Sequence, residues 1–83
     1  MLEITRFDGI VIKIFFRGEH NPPHFHAVYG EFNGVIEIET SKMIEGDLPK
    51  KVAGVVETWS KMHKKELECM WNEKRIIKLP PLE

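Results

Sequence analysis

The chain predicts an α+β fold, a twisted antiparallel meander sheet of four to five strands packed on one face by a long C-terminal helix spanning about residues 49–74. Three observations lead there. Two dipeptides suited to tight hairpins, Asp8-Gly9 and Asn33-Gly34, each separate a pair of β-branched and aromatic runs. "IVIKIFF" is a β-branched and aromatic run with one lysine, and "VIEIET" alternates apolar and polar residues, the period of a strand with one face buried. From Val52 onward the spacing lengthens to that of a helix.

Taken in order, Glu3 to Phe7 is a short first strand, and Asp8-Gly9 turns it into "IVIKIFFR". Both turn residues tolerate the positive φ angles that a type I′ turn demands. The third strand is "HFHAVYGE". Asn33-Gly34 turns it into "VIEIET", and Ser41-Lys42 leads into a brief fifth strand through Met43 and Ile44 before "EGDLP" breaks the pattern.

Pro49 suits a first helical turn, where its missing N–H is one that a helix start leaves unpaired, and Asp47 is the expected cap. Val52, Val55, Val56, Trp59, Met62, Leu67 and Met70 then form one stripe of roughly 140° at about 100° per residue. Gly54 predicts close packing on the sheet or a mild kink. The helix is expected to end near Lys74, since "LPPLE" cannot extend it.

By alternation, Ile10, Ile12, Ile14, Phe16, Ile36 and Ile38 face this helix. Val11, Lys13, Phe15, Glu37 and Glu39 face away. Large apolar groups such as Val11 and Phe15 on the face without a helix point to a partner or second subunit.

The 83 residues are expected to form a single domain, 1–83, because a chain of this length buries only about 60% of its unfolded surface. One cysteine, Cys69, excludes an intramolecular disulfide, no secretory leader is visible, and the location expected is cytoplasmic. "IVIKIFF" is far short of the roughly 20 apolar residues of a membrane span. The net charge of −1 divides unevenly: residues 1–49 hold four basic and eight acidic groups, net −4, and residues 50–83 hold eight and five, net +3. A solvated helix face is the expected reason for these lysines, with an acidic partner the alternative. A nucleic-acid partner is weakly supported, with no helix-turn-helix pattern and no wholly basic surface.

The stretch "HNPPHFHAVYG", residues 20–30, concentrates three of the four histidines. In a strand, His24 and His26 project to one face and Phe25, Ala27 and Tyr29 to the other. Two imidazoles so spaced can share a divalent ion if a carboxylate or a third histidine joins them. They can also act as general acid and base on a phosphodiester, with Lys13, Arg17 or Tyr29 stabilising charge, although no phosphate loop or nucleophile motif accompanies them. The plainest reading is a stiff corner: Pro22 and Pro23 fix the backbone, His20 and Asn21 make turn hydrogen bonds, and His24 and His26 bond local carbonyls. The density of imidazoles argues for more than a corner, with binding preferred to catalysis. No cofactor is expected, a divalent ion at His24 and His26 being the one candidate.

His63 lies in the middle of the helical stripe and is expected to face the sheet with its ring nitrogens hydrogen-bonded. If the proline corner curls over the helix, His63 and Glu66 join His24 and His26, an arrangement that strand parity opposes. Trp59 is a core residue, and Trp71 at the stripe margin is half exposed, available to anchor a partner.

The string "HNPPHFHAVYG", followed by "VIEIET", "GDLP" and "ETWSKMHKKEL" with Trp71 beyond, resembles a bacterial and archaeal family of short proteins, domain-of-unknown-function family 4160. The likeness covers roughly residues 4–74. Its most specific part is the pattern of His20, Pro22, Pro23, His24 and His26, and Tyr29 also matches. The resemblance implies a shared fold and no established activity. It further implies a gene beside another short protein, an arrangement suggested to be toxin–antitoxin-like. The leading expectation is therefore a small protein-partner-binding module that pairs with a second small protein or with itself as a homodimer, using His20, His24, His26, Tyr29, Val11 and Phe15. The alternative is a histidine-dependent nuclease or other hydrolase acting on RNA, metal-assisted or not, through His24 and His26.

Overall fold

A computed structural model describes residues 2–16 and 22–82. Five strands, β1 (Leu2–Phe7), β2 (Ile10–Ile14), β3 (His24–Tyr29), β4 (Phe32–Glu37) and β5 (Met43–Gly46), pair antiparallel in chain order, so the sheet is a meander. Two helices follow, α1 (Lys50–Met62) and α2 (Lys64–Glu73). The α+β expectation and the fifth strand both hold.

The first hairpin turns at Asp8-Gly9 with φ of 51° and 77°, the two positive angles of a type I′ turn. The second does not turn at Asn33-Gly34. Tyr29 pairs with Phe32, so the turn is Gly30-Glu31, with Gly30 at φ 60° and Glu31 outside the positive region, the pattern of a type II′ turn. Asn33 and Gly34 instead lie inside β4, where the glycine makes room rather than a bend. A Cβ on Gly34 would stand 2.6 Å from Leu48 Cδ1, so the core leucine of the β5–α1 connection occupies that space.

Asp47 is not the helix cap. The N–H of Asn33 donates to its Oδ1 at 3.0 Å, and its own N–H donates to the Asn33 carbonyl at 2.8 Å, which ties the chain to β4 after β5. Helix α1 starts at the Pro49 cap without a side-chain cap bond.

The expected single helix is interrupted, and not at Gly54. Gly54 is exposed, and a Cβ added there would meet nothing within 4 Å, so neither close packing nor a kink occurs at that position. The break is at His63, whose φ of −117° and ψ of 24° leave the helical region. Its N–H is shared between the Trp59 and Ser60 carbonyls, both at 3.2 Å, so the ladder tightens without being severed. The buried stripe is also rotated from the expected one. Met62 is 61% exposed, whereas Ser60 is fully buried and Trp71 is 9% exposed. Around a helical wheel of about 100° per residue, burial runs from Trp59 through His63 and Leu67 to Trp71, which leaves Met62 outside. Helix α2 ends at Lys74, which takes a left-handed φ of 56° and donates its N–H to the Met70 carbonyl, close to the expected boundary.

Ile10, Ile12, Ile14, Phe25, Ala27, Ile36 and Ile38 meet Val56, Trp59, Leu67 and Met70 in one core, with Phe16 packed at its margin. Trp59 lies against Phe25 and Phe7, with ring centroids 5.8 and 6.2 Å apart. The segment after α2 returns across this core to the outer edge of β1: Leu79 N–H reaches the Ile4 carbonyl at 3.3 Å, and the Trp59 indole N–H donates to the Pro80 carbonyl at 2.9 Å. The buried indole is thereby satisfied and one sheet edge covered. Among the described residues, no helix is long and apolar enough to cross a membrane.

Candidate functional site

The double proline feeds β3 through two main-chain carbonyls. Pro23 O accepts from Ile38 N–H at 3.0 Å, which prolongs the β3–β4 pairing past the end of β4. Pro22 O accepts from His24 Nδ1 at 2.9 Å. A carbonyl can only accept, so Nδ1 is the protonated nitrogen and Nε2 is the ring's remaining polar atom. In this respect the corner is scaffolding, as a rigid turn requires.

The two imidazoles are nevertheless adjacent, with centroids 5.3 Å apart at 66°. Their environments differ. His24 is 8% exposed because Trp71 of α2 packs on it at 5.2 Å, and Trp71 in turn touches Phe16 at 6.0 Å with the Lys74 ammonium over its ring. The tryptophan expected to be half exposed is therefore the wall behind His24. His26 is half-buried in mid-strand, opposite Lys13 on β2 and Val35 on β4, with Phe15 edge-on at 5.0 Å. Its pKa lies below the ordinary value of 6.5, chiefly because burial penalises the cation and next because His24 and Lys13 repel it, with Glu45 opposing. The neutral form of His26 is thus the favoured one.

Directly opposed residues of antiparallel strands share a face, so the register sorts the remaining candidates. Val11 pairs with Val28, and His26 with Val35, which itself pairs with Glu45. Val11, Phe15, His26, Val28 and Val35 are half-buried on this face. Tyr29 is on the other: it pairs with Ile10, packs on the core, and its ring would lie 3.4 Å from a Cβ on Gly9. It cannot assist chemistry at the histidines. His20 and Arg17 fall outside the described residues.

A hollow of about 270 Å³ opens beside the pair, lined by Pro22, His24, His26, Val35, Ile44 and Glu45. Residue order alone does not single out Ile44 and Glu45 as site residues. The signal available for them is the pairing of "VIEIET" with the strand after it, but a hairpin turn expected at Asn33-Gly34 puts that register out of reach. Among the described residues, no group of three or more His, Cys, Asp or Glu is placed to hold a metal ion. Two imidazoles alone fall short of the three protein ligands usual in catalytic zinc sites, so the described residues do not fit a resident ion.

His63 and Glu66 do not join this pair. His63 is buried against Trp59 at 5.1 Å, on the covered side of the sheet. Its Nδ1 has no hydrogen-bond partner among the described residues, the Glu66 carboxylate standing 3.8 Å away, so the expected satisfaction of that nitrogen is not met there. Ser60 Oγ, one turn earlier, is likewise buried without a partner among the described residues.

Fold and site together define a small sheet-and-helix domain that carries a proline-anchored histidine pair at the start of its third strand. The family model described as "Domain of unknown function (DUF4160)" matches residues 9–72, and the chain belongs to that family. No curated protein and no solved structure matches it.

Proposed function

We propose that the chain is a cytoplasmic protein-binding module that docks a second small protein on the open face of its sheet, as one half of a toxin–antitoxin-like pair. One observation carries this reading: Val11, Phe15, Val28 and Val35 stay half-buried on the face that no helix covers, around the His26 ring. Lys13 stands within this apolar group, opposite His26, and Glu37 and Glu45 lie farther out on β4 and β5, the mix of apolar and polar groups that interfaces carry. A second copy of this chain is the competing occupant. Size-exclusion chromatography with light scattering separates the two, using the chain alone and mixed with the product of the adjacent gene. The expected result is a chain that runs alone as a monomer and forms a one-to-one complex with that product. A homodimer, or a monomer indifferent to the product, contradicts the reading.

Histidine-dependent hydrolysis of RNA is the second reading, favoured by the Pro22 carbonyl bond that fixes one tautomer of His24 beside a neutral His26. It weighs less, since no phosphate-binding loop or nucleophile motif accompanies the pair. Tyr29 is also on the wrong face. RNA cleavage by the wild type that disappears in a His24→Ala/His26→Ala double variant would restore it.

A further inference from the structure

We propose that the hollow beside His26 receives a cationic side chain, arginine or lysine, from the docked protein. This rests on the docking face proposed above and names the chemistry of its anchor. Pro22, Val35 and Ile44 supply apolar walls suited to a methylene stem. The polar side chains of the lining are His24, His26 and Glu45, which include one carboxylate and no cation.

Each of these groups is placed for the role. The β4–β5 register steps from Val35↔Glu45 to Ile36↔Met43, which makes Ile44 the extra residue of a bulge, and it stands 50% exposed at the rim. Bulges re-aim side chains in this way. Glu45 forms no ion pair among the described residues, unlike Glu57, which is bonded by Lys42 and Lys61. Lys13, directly opposite His26, belongs to β2, and its backbone is separated from that of Glu45 on β5 by three strand spacings of about 4.8 Å. His24 Nδ1 is occupied by Pro22 O, so in the neutral ring Nε2 accepts. Imidazole rings and a free carboxylate on apolar walls complement a flat guanidinium best and an ammonium next.

The test needs no partner protein. The full chain at pH 7.5 is titrated with n-butylguanidinium, n-butylammonium or n-butanol while the imidazole Hε1 and backbone amide resonances are followed by NMR. Both cations are expected to give saturable shifts at His24, His26 and Glu45 with roughly millimolar affinity, and the alcohol none. Glu45→Gln, an exposed substitution that leaves the fold intact, is expected to weaken the cations on the order of five-fold. Equal shifts from the alcohol, undiminished affinity in Glu45→Gln, or shifts mapping elsewhere overturn the proposal. Cation binding without a protein complex counts against the docking reading alone, and a complex without cation binding against the pocket alone.

Discussion

The two faces of the sheet use the same strands for opposite ends. On the covered face, Ile10, Ile12, Ile14, Phe25, Ala27 and Ile36 are all but sealed from solvent against Trp59, Leu67 and Met70. On the open face, Val11, Lys13, Phe15, His26, Val28 and Val35 alternate with them, one residue out of phase, and remain partly wet. The first face is aliphatic and aromatic, the composition that stabilises a fold. The second mixes valines and a phenylalanine with charges and imidazoles, the composition that a stable fold can spare for recognition.

Truncation should separate the faces most clearly. Trp59→Ala removes a fully buried ring together with the bond to Pro80, and should cost about 3–5 kcal/mol in urea unfolding, enough to unfold much of the population of so small a domain. Phe15→Ala on the open face should cost about 1 kcal/mol or less, as partly exposed positions do. Equal losses at the two positions would erase the distinction.

The glycines sharpen it on a smaller scale. Gly34→Ala puts a methyl group into Leu48 and should destabilise by about 1–3 kcal/mol, the usual cost of overpacking. Gly54→Ala meets open space inside a helix and should stabilise by roughly 1 kcal/mol. Thermal unfolding of the two variants reads both signs.

The smallest effect is in pH. His26 binds its proton less readily folded than unfolded, so below about pH 6.5 the unfolded chain takes up more protons and stability falls as pH falls toward the lowered folded value. The pH slope of urea midpoints between 7.5 and 5 should be shallower in His26→Gln than in the wild type. An unchanged slope would mean that burial does not disfavour the imidazolium.

Much of this is legible in residue order. Strand parity through "IVIKIFF" separates the two faces correctly, because a period of two leaves no choice once one face is buried. Asn33-Gly34 misleads, since the same glycine serves a turn or a close contact, and only the position of Leu48 decides between them. A stripe drawn through apolar residues alone takes in Met62 and passes over Ser60, although Met62 is exposed and the serine is buried. The same bias hides Trp71, and with it the asymmetry of the histidine pair: His24 is walled in by an indole from a distant helix, which no local pattern encodes.

The division of labour between the faces is tested most directly by a Val11→Glu/Phe15→Glu double variant, assayed at once for thermal unfolding and for complex formation with the adjacent gene product. The expected result is cooperative unfolding with the midpoint lowered by no more than about 10 °C, and no complex. A variant that still forms the complex, or one that no longer folds, would contradict it.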